Sequence, residues 1–112
     1  MENIIQFNDF AKLDLRVGQI RKVEEIVGAD KLWKLGVDLG EEDLRTICAG
    51  LKPYYSREEL MNKKIIVVSN LEPRKMRGIE SQGMLLAAST DNHEKVVLLT
   101  PEKDIENGAR VS

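Results

Sequence analysis

The sequence predicts a small all-β domain, a five-stranded barrel with a short helix between its third and fourth strands. Three observations predict it: short runs alternate apolar and polar residues, turn-forming residues separate these runs, and one segment carries a clear helix start. The 112 residues suffice for one modest hydrophobic core but not for two. We therefore expect residues 1–112 to form one domain in which the strands enclose a shared core.

The first part of the chain predicts a short helix followed by a long strand. Asn8 is a candidate N-cap, and Phe10 and Leu13 have helical spacing, so this helix is expected to cover one end of the core. Apolar residues then alternate over residues 15–26, and Gly18 marks an expected bend or bulge. Three charged residues of this strand are expected to face solvent: Arg16, Arg21 and Lys22.

Residues 32–49 predict a β-hairpin. Its first strand has an apolar residue at every second position, and these share one face: Trp33, Leu35, Val37 and Leu39. Residues 44–49 return as the third strand. The turn region carries four carboxylates: Asp38, Glu41, Glu42 and Asp43. A calcium-binding loop needs its glycine and its closing glutamate at set positions, whereas these acids only crowd a turn, so no metal site is expected there.

A capping box predicts one short helix after the hairpin. Ser56 stands three residues before Glu59, the spacing at which the two residues cap each other's backbone N–H groups. Apolar runs then predict strands at residues 64–69, 84–89 and 96–100, with a last strand at 109–112. Three strands, a bridging helix and further strands, with N- and C-terminal extensions, are the plan of an OB-fold. The sequence therefore predicts an OB-fold.

Cysteine usage and the N-terminus indicate a compartment. The single cysteine, Cys48, cannot form an internal disulfide, and its apolar neighbours predict a small buried side chain. The N-terminus lacks the basic and apolar regions of a signal peptide. No apolar run approaches the roughly 20 residues of a membrane span. We expect a cytoplasmic protein that does not enter the membrane.

Enzyme motifs are incomplete in this sequence. Residues 78–83 have the glycine spacing of a phosphate-binding loop, but Met84 and Leu85 stand where lysine and serine or threonine are required. Residues 79–83 resemble a nucleophile elbow that lacks its first glycine. The single histidine, His93, has no cysteine or histidine partner at ligand spacing. We therefore expect a non-catalytic protein without a cofactor or a metal.

The segment from residue 70 to residue 84 is the strongest candidate for a binding site. It joins two apolar runs and carries three cations within four residues: Arg74, Lys75 and Arg77. Residues 63–78 hold five cations and one anion, whereas the whole chain has a net charge of −2. We therefore expect a local field that attracts a polyanion. On composition alone, a solvated loop with no binding role stays open as an alternative.

Four segments carry a resemblance to a known family: residues 14–20 (DLRVGQI), 29–32 (ADKL), 47–55 (ICAGLKPYY) and 70–88 (NLEPRKMRGIESQGMLLAA). They resemble the tRNA-binding domain family. This family includes the C-terminal or separate β domain of methionyl-tRNA synthetase, free-standing bacterial tRNA-binding proteins and the endothelial monocyte-activating polypeptide II type domain. The resemblance implies an OB-fold homodimer that binds tRNA by shape, without recognising an anticodon. One departure is Val27 and Gly28, which stand where the family usually has His-Pro.

The matching positions imply a set of RNA-binding residues. They are Asn70, Arg74, Lys75, Met76, Arg77, Ser81 and Met84, with Pro73, Gly78 and Gly83 shaping the loop. The cations would engage phosphates, Asn70 and Ser81 would hydrogen-bond backbone or 2′-hydroxyl groups, and the methionines would pack on exposed bases or sugars. A place in the core stays open as an alternative for Met84.

The function that this resemblance implies is structure-specific, largely sequence-independent tRNA binding as a homodimer. The chain is expected to act as the β subunit or C-terminal domain of a methionyl-tRNA synthetase, whose catalytic subunit would be a further partner. Residues 1–13 and 96–112 are expected to contribute to the dimer interface. Two other functions stay open: a CsaA-type secretion chaperone that binds unfolded polypeptide, and a module that dimerises a synthetase.

Overall fold

The computed structural model describes residues 3–112, which form mostly β-structure. Two short helices lie among the strands, α1 at Phe7–Phe10 and α2 at Arg57–Leu60. The strands are β1 at Leu15–Ile26, β2 at Ala29–Asp38, β3 at Arg45–Ala49, β4 at Lys64–Val68, β5 at Arg74–Met76, β6 at Ile79–Ser81, β7 at Met84–Leu85, β8 at Ala87–Ser89, β9 at Val96–Leu98 and β10 at Arg110–Val111.

Five antiparallel strands form a nearly closed barrel in the order β3-β2-β1-β4-β7, and β10 adds to β1. Strand β1 is long enough to pair with two strands of the barrel. Its residues 15–19 pair with β4, and its residues 19–26 pair with β2. The helix α2 joins β3 to β4. The predicted OB-fold is therefore confirmed.

The bulge of β1 follows Ile20 and does not lie at Gly18, where it was predicted. Gly18 pairs in register with Ile65 of β4. Its lack of a side chain serves packing, because a Cβ there would lie 2.7 Å from Val37 Cγ1 and 2.9 Å from Leu39 Cδ2. The glycine lets the core side chains of β2 approach the backbone of β1.

Alternate positions of the barrel strands fill one main core. The predicted apolar face of β2 is confirmed, since all four of its side chains are buried: Trp33, Leu35, Val37 and Leu39. The helix α2 adds Leu60, which is fully buried in the same cluster. Because such a core is closely packed, truncating one of its large side chains to alanine typically costs about 2–5 kcal/mol. The barrel therefore gives its outer loops and ribbons a rigid base.

The two helices begin in different ways. Helix α2 has the predicted capping box, in which the Glu59 N–H donates to Ser56 Oγ at 3.2 Å and the Ser56 N–H donates to Glu59 Oε1 at 2.8 Å. Helix α1 follows Gln6, so the prediction of Asn8 as its N-cap is wrong. Phe10 holds α1 by packing on a small satellite cluster around Leu15. Packing, not capping, fixes where α1 lies.

The strand predicted at residues 84–89 is divided into two. Strand β7 pairs with β4 in the barrel, whereas β8 pairs with β9 in a separate two-stranded ribbon. Leu86 lies between them, and its N–H donates to Ile66 O while its carbonyl accepts from the Leu99 N–H. The chain therefore leaves the barrel at Leu86 and continues into the ribbon.

Arg16 departs from the solvent-facing pattern predicted for β1. It is partly buried, and it donates to both carboxylate oxygens of Asp14 and to the Gly108 carbonyl. These bonds from Arg16 hold the pKa of the Asp14 carboxyl below its ordinary value of 3.8. Arg21 and Lys22 are exposed, as predicted.

Replacing Gly18 with alanine is expected to lower the free energy of unfolding by about 1–3 kcal/mol, because the added methyl overpacks the core. Urea denaturation measures this change. Gly50→Ala is the matched control, since a Cβ at Gly50 meets no atom within 4 Å, and it should shift the free energy of unfolding by less than about 0.5 kcal/mol. Equal midpoints for the two variants would contradict this role of Gly18.

Candidate nucleic-acid interface

The basic segment forms a β-hairpin beside the barrel, where the sequence predicted a loop. Strands β5 and β6 pair over three positions: Arg74 with Ser81, Lys75 with Glu80 and Met76 with Ile79. The turn places Arg77 at φ 53° and Gly78 at φ 81°. Positive φ at both central residues is what a tight type I′ turn requires, and this turn matches the twist of the strands. We call residues 70–83 the basic arm.

The arm is held where it leaves β4. Asn70 Oδ1 accepts from the Asp14 N–H at 2.9 Å, and Asn70 Nδ2 donates to the Lys12 carbonyl at 2.7 Å. The preceding Ser69 adds a hydroxyl bond of 2.7 Å to the Asp14 carbonyl. The Asn70 amide therefore already has a protein partner on each side, although the residue is exposed.

The arm is held again where it returns to the barrel. Ser81 is buried, and its Oγ accepts from the Cys48 N–H at 3.0 Å and donates to the Gly83 carbonyl at 3.2 Å. Gln82 forms two bonds with Thr46, one from the Thr46 N–H to Gln82 Oε1 at 3.0 Å and one from the Gln82 N–H to the Thr46 carbonyl at 2.7 Å. Two side chains thus occupy the free edge of β3 and close the barrel on this side.

One guanidinium connects the two ends of the arm. Arg45 Nη1 donates to the carbonyls of Ser69 and Gln82, which lie 24 and 37 residues further along the chain. The other side of the same guanidinium makes a bidentate pair with Glu41, with both N···O distances 2.9 Å. The sequence analysis missed Arg45 and Gln82 as site residues. The short separation of Glu41 and Arg45 along the chain permits their ion pair across the acidic turn, but nothing local signals the distant carbonyls.

Glycine is required at both ends of β6. Gly78 completes the turn, and Gly83 has a φ of 138° where the arm re-enters the barrel. A Cβ on Gly83 would also lie 3.1 Å from the Val68 carbonyl oxygen. Pro73 precedes β5 and is exposed. The chain therefore enters the arm at a fixed φ and leaves it through a conformation that L side chains rarely adopt.

The three cations of the arm are exposed and diverge from one another. Arg74 borders a cavity beneath the arm, Lys75 lies on the opposite face of β5 beside Glu80, and Arg77 faces the β1–β2 turn around Gly28. None of the three cations forms an ion pair with any residue in the range 3–112. Their charge is therefore spread around the arm and is available to a polyanion from several directions.

The two methionines of the predicted site have different surroundings. Met76 is partly buried and packs with Ile79 on a small cluster that contains Cys48. Met84 is 44% exposed, so it lies outside the core, and it borders the same cavity as Arg74. Met76 of the arm and Met84, which directly follows it, thus place sulfur-bearing side chains beside the cations.

Cys48 lies beneath the arm and is buried, as predicted. Burial raises the pKa of the Cys48 thiol above its ordinary value of 9.0, so the thiol is protonated at neutral pH and is a poor nucleophile. Within residues 3–112 no cluster of three or more histidine, cysteine, aspartate or glutamate side chains can hold a metal ion. None of the helices described is long and apolar enough to cross a membrane.

Replacing Ser81 with alanine is expected to lower the free energy of unfolding by about 1–3 kcal/mol, because the Cys48 N–H loses its acceptor while buried. Amide exchange at Cys48 should accelerate more than exchange at the core of β2. Ser89→Ala on the exposed strand β8 is the control and should change stability by less than about 0.5 kcal/mol. Unchanged amide exchange at Cys48 in the Ser81 variant would show that Ser81 does not close the edge of β3.

Comparison with known proteins shows which family the chain resembles. The family model described as "Putative tRNA binding domain" matches residues 15–110. The chain is 59% identical over 107 residues to the methionine–tRNA ligase of Pyrococcus horikoshii, an alignment that covers 96% of this chain and 14% of that protein. The chain thus spans about one seventh of the length of that curated relative.

Two solved structures have the same fold. The methionyl-tRNA synthetase related protein of Pyrococcus horikoshii superposes with a TM-score of 0.90 at 41% identity, covering 98% of this chain and 99% of that one. The CsaA chaperone protein of Picrophilus torridus superposes with a TM-score of 0.86 at 35% identity, covering 97% and 100%. Together with the family model, these matches confirm the resemblance carried by the sequence motifs. The chain belongs to the tRNA-binding domain family.

Proposed function

We propose that residues 1–112 form one tRNA-binding domain that recognises tRNA by shape and backbone position. The observation that carries this proposal is the basic arm, which holds three exposed, unpaired cations and is tied to the barrel at both ends. A cation on a fixed arm meets a phosphate without first losing backbone freedom, which favours binding. Membership of the family supports the same ligand.

The residues of the arm divide into contact and support. Arg74, Lys75 and Arg77 engage phosphates, while Met76 and Met84 pack on exposed bases or sugars. Asn70 and Ser81 were predicted to bind RNA directly, but their polar atoms already bond to the protein. We assign them to holding the arm, and Pro73, Gly78 and Gly83 to shaping it.

Low sequence specificity follows from the directions of the cations. Each of the three faces a different side of the arm, so they meet separate phosphates more readily than one base edge. Bidentate readout of a base needs a paired, planar set of donors and acceptors at one point. We therefore expect different tRNAs to compete on similar terms.

The larger context that we propose is a methionyl-tRNA synthetase. The domain would be its C-terminal domain or separate β subunit, non-catalytic in itself, and would raise the local concentration of tRNA for the catalytic subunit in the cytoplasm. The methionine–tRNA ligase of Pyrococcus horikoshii contains a segment 59% identical to this chain, which supports the assignment.

A CsaA-type chaperone is the second candidate function. The fold similarity to the Picrophilus torridus protein and the partly apolar cavity beside Met84 favour it. Binding of folded tRNA and of a denatured test protein, measured on one sample at matched salt, separates the two functions. Preference for the denatured protein would replace our proposal. Failure to bind either ligand would favour the third candidate, a module that only dimerises a synthetase.

A homodimer is part of the proposal, and exposed apolar side chains support it. Within residues 3–112, seven of the twelve exposed large hydrophobic residues lie in the two terminal segments predicted to form the interface: Ile4, Ile5, Phe7, Leu13, Val97, Leu99 and Ile105. Residues 1 and 2 of the predicted interface lie outside the described part of the chain. Burying these side chains against a second copy of the chain would remove their apolar surface from water.

Sedimentation equilibrium at micromolar concentration is expected to give twice the chain mass of 12.7 kDa. Val97→Asp should shift the population toward the single chain, because it places a charge in the proposed apolar interface. Val27→Asp is the control, since Val27 is fully exposed in the β1–β2 turn, and it should leave the mass unchanged. A wild-type protein that sediments only at 12.7 kDa would rule out the homodimer.

The double variant Lys75→Ala with Arg77→Ala is expected to weaken tRNA binding in a salt-dependent way. If each cation neutralises one phosphate, the plot of log affinity against log salt becomes shallower by about one to two units per protomer. The fold should persist, since exposed charges of this kind contribute little to stability. Fluorescence anisotropy with labelled tRNA over a range of salt concentrations measures both slope and affinity.

The control for this experiment is Lys95→Ala with Lys103→Ala, which removes the same charge from exposed positions outside the arm. It should leave the salt slope nearly unchanged. Equal losses of affinity in the two double variants, or a normal slope in the arm variant, would show that the arm is not the principal contact.

A further inference from the structure

A cavity of about 350 Å³ lies between β3, the basic arm and the ribbon of β8 and β9. Leu51, Met84 and Leu85 give it apolar walls. Tyr54 forms part of another wall, and its hydroxyl donates to the His93 carbonyl at 2.7 Å, which joins the segment after β3 to the turn before β9. The volume is at the lower end of the range for small-molecule sites, about 300–1,000 Å³.

Two charged side chains of opposite sign border this cavity on the side of the arm. Glu72 and Arg74 both line it and both are exposed, yet they form no ion pair with each other. A carboxylate only accepts hydrogen bonds, and a guanidinium only donates them. The planar edge of a nucleobase presents donors and acceptors side by side, so it matches this pair better than a purely apolar group does.

The edge of β3 beside the cavity is closed to an added peptide strand. Peptides often bind by extending a sheet through unpaired N–H groups at its edge. Here the Thr46 and Cys48 N–H groups already donate to Gln82 and Ser81. An extended polypeptide therefore gains no main-chain bonds at these two amides.

The arm that forms one wall of the cavity carries two further cations outside the lining of the cavity. Lys75 follows Arg74 in β5, and Arg77 lies in the adjoining turn, both exposed and without an ion-pair partner in residues 3–112. A group that enters the cavity while attached to a phosphate backbone brings further phosphates to the arm that carries these cations. A peptide side chain brings no such anion.

We propose that the cavity takes one unstacked nucleobase of the bound RNA, with Met84 against the base and with Glu72 and Arg74 at its edge. This inference rests on the proposed function, because it names the part of the RNA that the site receives. It requires a base that has left its stack, which costs least in a loop or bulge. The domain would thus bind a folded RNA at a point where one base is turned outward.

Filling the cavity tests the proposal on the intact chain. Ala87 and Ala88 are neighbours in β8 and both are exposed, but only Ala87 lines the cavity. Ala87→Leu is expected to weaken binding of a folded tRNA transcript by at least about fivefold, the lower end of the range for losing one base contact. Ala88→Leu is the matched control and should change affinity less than about twofold. Equal affinities of the two variants would overturn the proposal while leaving tRNA binding itself intact.

A second measurement detects the base directly and does not depend on tRNA binding. The protein is labelled with ¹³C-methyl methionine and titrated with each of the four ribonucleoside 5′-monophosphates. The ring current of a bound base should shift the Met84 methyl resonance, and to a smaller extent that of Met76, while the resonance of Met61 outside the cavity stays in place. In the Ala87→Leu protein the shifts should be lost.

The two experiments separate failure of this inference from failure of the proposed function. Nucleotides that leave the Met84 methyl unchanged in the wild-type protein, or shift it equally in Ala87→Leu, would overturn the base site. The same holds if N-acetyl-leucine amide displaces the nucleotides and shifts the Met84 methyl at lower concentrations than they do, because the cavity would then prefer peptide side chains. Absence of tRNA binding by the wild-type protein would refute the proposed function, and the nucleotide titration would still decide the cavity.

Discussion

The hydrogen bonds of Arg45 to two distant carbonyls are the constraint on which the rest of the site depends. They fix Ser69, where the chain leaves β4, and Gln82, where it returns to the barrel. Between these points the arm has a pair of three-residue strands and a tight turn, a hairpin too small to be stable alone. Glu41 orients the guanidinium from the other side through a bidentate pair, a geometry that a lysine cannot reproduce. The positions of the arm's cations follow from this clamp.

The return of the arm to the edge of β3 explains why the cavity and the buried cysteine occur together. An OB-fold usually offers the face and edge of its second and third strands to a ligand. In this chain the side chains of Ser81 and Gln82 occupy the edge of β3, and the arm covers Cys48. In the function that we propose, the ligand surface therefore lies on the arm and in the space beneath it, and not on the strands. Both a cationic and an apolar side chain, Arg74 and Met84, line that space.

Features that depend on neighbouring residues could be predicted from the sequence. The alternation of β2 and the capping box at Ser56 are both local, and both are confirmed. The basic arm was recognised by its charge and its motif, but not as a hairpin, because its strands have three residues each and Arg77 replaces the usual asparagine or aspartate of a type I′ turn. The prediction of Asn8 as an N-cap was wrong, because packing of Phe10 fixes the position of the short helix.

Features that depend on distant partners could not be predicted. Ser81 was predicted to hydrogen-bond RNA, yet it is buried and accepts from a backbone amide 33 residues away. Arg45 was not singled out from the sequence, because its carbonyl partners lie 24 and 37 residues away and are brought to it only by the fold. Leu86 divides a continuous apolar run because two different sheets meet there. In each case the tertiary contact decides the role, and no spacing in the sequence reports it.

The role of Arg45 in holding the arm is tested most directly by the tRNA affinity and the salt slope of the Arg45→Met variant. This variant removes both carbonyl bonds but none of the arm's three cations, so affinity should fall by at least about fivefold, since binding must then order the arm. The salt slope should stay within about half a unit of the wild-type value, because no proposed phosphate contact is lost. Arg57→Met, which removes an exposed arginine from α2, controls for charge. Equal affinities of the two variants, or a slope that falls by about one unit in Arg45→Met alone, would contradict the account.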